Sequence, residues 1–262
     1  MTQRGLSFLA DWHSAARSRS GAARDEVLRR TALAREPGPE GVQGPKSRLM
    51  LGELASLAIW RRERPDVPPA ISPQAVMLLP GFGSHPVRMR PLARTLGAAG
   101  HNVIDWGLGF NFGPTPENFS QLLAAIDRFA RDCGEPVTLV GWSLGGLFAR
   151  EAAKLRAHHV RRVITMGTPF SGDPRANNAW RAYQLVTGHR VDEPPVPGEF
   201  QVKPPVPTIA LWSPRDGIVA PRAACGWPGE RDSAVALRCT HLGFAGDPRV
   251  AAEVLRQLDR DD

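Results

Sequence analysis

The sequence predicts an α/β fold: a mostly parallel sheet with helices on both faces. From residue 75 onward, short unbroken apolar runs alternate with helical stretches. Those runs lack the in–out alternation of a half-exposed sheet, so both sheet faces should be covered. Gly and Pro punctuate the junctions, as at Pro80-Gly81 and Gly100.

Taken in order, the first strand is AVMLL at 75–79, followed by a loop and helix over 85–100. HNVIDW at 101–106 is the second strand. Residues 116–133 form an amphipathic helix, with Phe119, Leu122, Leu123, Ile126 and Phe129 on one face. PVTLVG at 136–141 is a third strand, running at once into a helix from Leu144 to about His158. Strands follow at 160–167, 206–213 and 233–239, and a last helix at 248–258. Parallel strands joined by right-handed crossovers put every strand's C-terminal end on one edge, where ligands bind. The segments 106–115 and 168–205 are too long for plain connections, and such loops are usually functional or disordered. The glycines of 107–113 are spaced GxGxxxG and open no helix, so they do not make a dinucleotide site.

Ahead of the sheet, residues 1–46 are expected to be a flexible basic extension. Its second half (REPGPEGVQGPK) reads as a linker. A leading helix over 47–64 has apolar positions at Met50, Leu54, Leu57 and Ala58 and ends at Pro65. It should pack on the main domain, which runs from 47 to 262. The chain of 262 residues carries a formal charge of +7, of which +4 lies in residues 1–70. That asymmetry allows a weak peripheral membrane contact. No motif suggests nucleic acid. The longest apolar stretch, 49–60, is interrupted by Glu53 and is too short to span a bilayer. The first twelve residues fall short of a secretory signal, so a cytoplasmic location is expected. Cys133, Cys225 and Cys239 have no metal-ligand spacing, and no metal or cofactor is predicted. One bridge, Cys225–Cys239, would brace the loop at residue 241, although a reducing compartment opposes it.

The chemistry centres on Gly141-Trp142-Ser143-Leu144-Gly145. GxSxG is common by chance, but here it lies where an apolar strand meets an alanine-rich helix. A serine on such a turn projects its hydroxyl from the sheet edge, and the flanking residues must be small because strand and helix backbones nearly touch. The hydroxyl needs a base, and the base needs an orienting carboxylate. His241 follows a late strand and is the only histidine after the best acid candidate. His158 and His159 sit at a helix end, and His189 lies within the long insertion. Asp216 follows the strand ending near Trp212 and is preferred to Asp173, Asp192 and Asp232. A developing oxyanion needs donors, for which the N–H groups of Leu144 and Phe82 are suited.

These residues resemble bacterial lipase- and esterase-like α/β-hydrolases. The likeness is carried by LLPGFGS (78–84), GWSLGG (141–146), ITMGTPFSG (164–172), SPRDGIV (213–219) and THLGF (240–244). The resemblance implies an α/β-hydrolase fold in which 168–205 forms a lid or cap over an acyl site. Trp180, Tyr183 and Leu185 would line it, and Phe82, Trp142 and Phe170 its floor. Position 80 is Pro where many lipases carry His, and no calcium-ligand set stands out. The expected activity is hydrolysis of a carboxylic ester, lipid-like or acyl, through an acyl-enzyme. Acyl transfer or thioester hydrolysis by the same residues, and a catalytically silent binding protein on this scaffold, are the alternatives. Oligomeric state is left open.

Overall fold

A computed structural model describes residues 21–58 and 67–260. The first twenty residues and the expected end of the leading helix, residues 59–64 with the stop at Pro65, lie outside them.

Six strands form one sheet: β1 (Ala75–Leu79), β2 (Asn102–Asp105), β3 (Val137–Trp142), β4 (Val160–Met166), β5 (Thr208–Trp212) and β6 (Ser233–Ala236). Their spatial order is β2-β1-β3-β4-β5-β6. Every neighbouring pair is parallel. The order reverses between β1 and β3, so the crevice beyond their C-terminal ends is the topological switch point.

Strand periodicity distributes the core. Val76 and Leu78 of β1 face one layer, with Leu92, Leu96, Val250, Val254 and Leu258 from helices α3 (Arg90–Ala98) and α8 (Pro248–Leu258). Ala75, Met77 and Leu79 face the other, with Leu122, Ile126, Phe148 and Ala149 from helices α4 (Pro116–Cys133) and α5 (Leu144–Leu155). Both faces are covered, which is why β1 and β3 are buried throughout. Helix α4 begins with a capping box, in which Asn118 N–H donates to Thr115 Oγ1 at 3.1 Å and Thr115 N–H to Asn118 Oδ1 at 2.9 Å.

Helix α5 ends at Leu155, short of His158. His159 Nδ1 then pairs with Asp127 at 2.7 Å, a structural contact on the far side of the fold. β6 leaves the sheet at Ala236, so Cys239 is a loop residue packed in the core. All three cysteines are free, so the Cys225–Cys239 bridge does not form. Arg231 Nε donates to the Cys225 carbonyl at the end of α7 (Pro221–Cys225), while Cys239 is buried with the α3–α8 layer.

The segment before the sheet differs from expectation. Residues 21–35 are helical (α1), and α2 follows at Ser47–Ala58. Helix α1 lies on α6 (Trp180–Thr187), a helix inside the long insertion that the pattern did not reveal. Arg29 Nη1 donates to Gly188 O at 2.9 Å, Arg30 Nη1 to Val186 O at 2.5 Å, and Gln184 Nε2 to Leu33 O at 2.6 Å. Asn178 Nδ2 donates to Pro45 O at 3.0 Å. Residues 29–45 are therefore bonded to the insertion rather than forming a featureless linker. Linker-like composition is compatible with order when tertiary acceptors meet the side chains.

Candidate active site

Ser143 caps α5 at the end of β3 with φ 53° and ψ −121°. It is the one non-glycine residue at positive φ among those described. Such backbone costs of order 1–3 kcal/mol and persists only where the surroundings enforce it. Here they do. A Cβ at Gly141 would strike Gly146, one at Gly145 the Leu79 carbonyl, and one at Gly146 the Thr168 side chain. Ser143 N–H continues the β3–β4 ladder onto Met166 O at 2.8 Å.

The loop after β1 closes over this turn. A Cβ on Gly81 would lie 3.2 Å from Ser143 Cβ. Asn111, fully buried in the 106–115 loop, holds it: its Nδ2 donates to Pro80 O at 2.7 Å and its carbonyl accepts Gly83 N–H at 2.7 Å. Ser84 N–H turns back to Gly81 O at 3.1 Å. Leu144 is the first residue of α5, so its N–H lacks an intrahelical acceptor. Composition gave no reason to single out Asn111; its only signal was its place in an over-long loop.

Asp216 and His241 follow β5 and β6, neighbouring strands, and are 1% and 3% exposed. His241 Nδ1 lies 2.8 Å from Asp216 Oδ2. Asp216 Oδ1 accepts Ile218 N–H at 2.8 Å and Val219 N–H at 2.7 Å, which orients the carboxylate. With Nδ1–H donated to Asp216, Nε2 is left as the acceptor. Ser213 Oγ ties the two loops by donating to Cys239 O at 2.6 Å. No hydrogen bond joins Ser143 to His241 among the described residues; such contacts often tighten only with substrate bound.

Ser143 opens into a small apolar cavity. Phe82, Leu144 and Leu147 line it from the sheet side, Trp180, Tyr183, Val191 and Phe200 from the 168–205 insertion, and Ile218 and Val219 from the loop after β5. Asn177 is a polar exception, and no charged side chain lines it among the described residues. Burial pushes the Tyr183 hydroxyl up to about 12, so it stays neutral.

Three expected lining residues lie elsewhere. Trp142 shares the Val140 face of β3 and packs in the α3–α8 layer, with its indole N–H donating to His241 O at 3.0 Å. Phe170 is buried beneath the Arg150 guanidinium, 4.2 Å above its ring. Leu185 is 45% exposed on the outer face of α6. Asp216 and His241 are not among the residues that line the cavity.

A parallel sheet with a serine on a strained strand–helix turn at its switch point defines the class. Residues 76–260 match the alpha/beta hydrolase family, and the chain belongs to it. No curated protein sequence matches the chain. Among solved structures it is similar to one of the metagenome-derived lipolytic enzymes LipS and LipT, with 15% identity, TM-score 0.51, and coverage of 73% of this chain and 93% of that one. The pyrethroid hydrolase PytH with BIF gives 14%, 0.52, 72% and 98%. RedJ with a PEG molecule in its active site gives 20%, 0.50, 79% and 98%. At these identities the likeness is one of fold. Among the described residues, no helix is long and apolar enough to cross a membrane.

Proposed function

We propose that this protein is a serine hydrolase that cleaves carboxylic esters through an acyl-enzyme. One observation carries the reading: the buried Asp216–His241 pair stands at the same sheet edge as Ser143, which opens into an uncharged cavity. Ser143 Oγ attacks the ester carbonyl while His241 Nε2 takes its proton. Asp216 holds the tautomer and stabilises the imidazolium. The N–H groups of Phe82 and Leu144 receive the oxyanion. Collapse breaks the ester C–O bond, and the imidazolium gives its proton to the departing alkoxide. Water, deprotonated by His241, then attacks the acyl-enzyme and releases the acid and Ser143.

The cavity wall supports a choice of acyl group. An ionised acyl chain would lose its hydration with no counter-charge to meet it. Uncharged apolar acyl groups, including lipid-like ones, fit instead. Acyl transfer or thioester hydrolysis would use the same acyl-enzyme, and product analysis with an alcohol or thiol acceptor separates them. We place the protein in the cytoplasm, where its thiols stay reduced. The basic N-terminal segment gives at most weak membrane contact, and liposome flotation reads it.

The test is a p-nitrophenyl ester series of increasing chain length, with Ser143→Ala alongside. The native protein should turn over neutral acyl esters and label with a fluorophosphonate. Ser143→Ala should lose on the order of 10⁶-fold in kcat while staying folded. Undiminished turnover by that variant would sink the mechanism.

A further inference from the structure

Glu53 is the charge that interrupts the apolar run of the leading helix. Its burial is nearly complete, at 2% exposure. Its Oε1 accepts Gly217 N–H at 2.8 Å and His241 N–H at 2.7 Å, and its Oε2 accepts Leu242 N–H at 2.9 Å. One carboxylate therefore grips the residue after Asp216, His241 itself, and the residue after His241. Charge-assisted bonds of this length are roughly twice as strong as neutral ones.

The fit is tight. A Cβ on Gly217 would come 2.7 Å from Leu49 O and 2.9 Å from Glu53 Cγ, so α2 is seated directly on the acid turn. Asn178 of the insertion closes the same corner, with its Nδ2 donating to Gly217 O at 2.8 Å and to Pro45 O at 3.0 Å. Helix α2 precedes the segment that matches the family, which begins at residue 76.

We infer that Glu53 is a positioning residue: its carboxylate bridges the acid and histidine loops and sets the Asp216–His241 hydrogen bond. This rests on the hydrolase reading for its effect on catalysis, but not for its effect on that bond. The physical ground is simple. Two loops that leave neighbouring strands can each shift along the sheet edge, and a displacement near 1 Å can cost roughly 10²-fold in rate. An oxygen shared between Gly217 and His241 couples the two loops, so they move together or not at all. Glutamine cannot reproduce this. Its amide offers one acceptor oxygen, and its NH₂ then faces either Leu242 N–H or both other donors.

The experiment compares native protein with Glu53→Gln and Glu53→Ala on a p-nitrophenyl ester, with Ser143→Ala as the control. Proton NMR follows the low-field signal of the His241 Nδ1–H. The expected result is a roughly 10–100-fold fall in kcat with KM within about threefold, and a low-field signal that broadens or moves. Glu53→Ala should be at least as impaired as Glu53→Gln. A variant with lower thermal stability but native kcat and an unmoved signal would overturn the proposal, leaving Glu53 a plain buttress. Should both variants fail to fold, amide exchange of native protein decides: Gly217, His241 and Leu242 N–H must be protected, and free exchange overturns the claim. If native protein has no ester turnover, the hydrolase reading falls, and the signal in Glu53→Gln still judges the bridge.

Discussion

Ser143 and His241 arrive at one sheet edge by different means. The serine turn is held by elements adjacent in sequence and by bare backbone: β3 before, α5 after, and glycines whose missing side chains let Leu79 and Thr168 approach. The Asp216–His241 pair is held by side chains from far away. Glu53 lies 188 positions from His241 in the chain, and Trp142 donates across 99 positions. A turn made by local sterics leaves a mark in the sequence, because only certain residues fit. A pair set by distant hydrogen bonds leaves almost none, because each donor or acceptor looks ordinary where it stands.

Within the distant half, the largest expected effect comes from the carboxylate. Asp216→Asn should lower kcat by roughly 10⁴-fold, since an amide can hold His241 in the wrong tautomer. The loss should appear in kcat measured on folded protein, as judged by circular dichroism. A loss below tenfold would mean that the pair does not orient the base. Next comes the loop proposed to receive the oxyanion, which is tied by Asn111 rather than by its own glycines. Asn111→Ala frees Pro80 O and should cost roughly 10–100-fold in kcat, with a smaller effect on the rate of fluorophosphonate labelling if attack is not limiting.

A smaller effect distinguishes the two halves by stability. Ser143→Gly removes the side chain from a strained backbone and should raise unfolding free energy by about 1 kcal/mol while abolishing turnover. Ser143→Ala keeps the strain and should not. Urea titration of the two variants separates them, and equal midpoints would mean that the turn stores no strain. The smallest effect concerns Cys239, whose carbonyl anchors the histidine loop. Burial, helped by the nearby Asp247 and Asp216 charges, pushes its thiol well above the usual value of 9.0. The unfolded chain therefore releases this proton before the folded one does. Stability should fall as pH rises above about 9, and Cys239 should alkylate after Cys133 and Cys225. Faster alkylation of Cys239 in Glu53→Gln would show that the bridge also holds this loop shut.

Much of the frame was legible. The strands at 75–79 and 160–167, the helix at 116–133 and the glycine-flanked serine turn follow from apolar runs, period and glycine placement, which are local quantities. Helix α6 was not legible, because Trp180 and Tyr183 face in while Leu185 faces out over only two turns. Trp142 was misassigned to the cavity for a related reason: aromatic identity does not say which sheet face a strand's last residue takes. Only the register of β3 decides that.

By itself, the sequence determined the parallel sheet and the serine on its turn, and it offered Asp216 and His241 as that serine's partners, since each rests on residues within a few positions of one another or on strand order. The tertiary structure decided which side chains hold Asp216 and His241, where the cavity runs, and that the leading helix is bonded to the His241 loop. Glu53 shows why. A lone carboxylate in an apolar helix reads as a break in hydrophobicity, and its meaning appears only when Gly217, His241 and Leu242 bring their N–H groups to it.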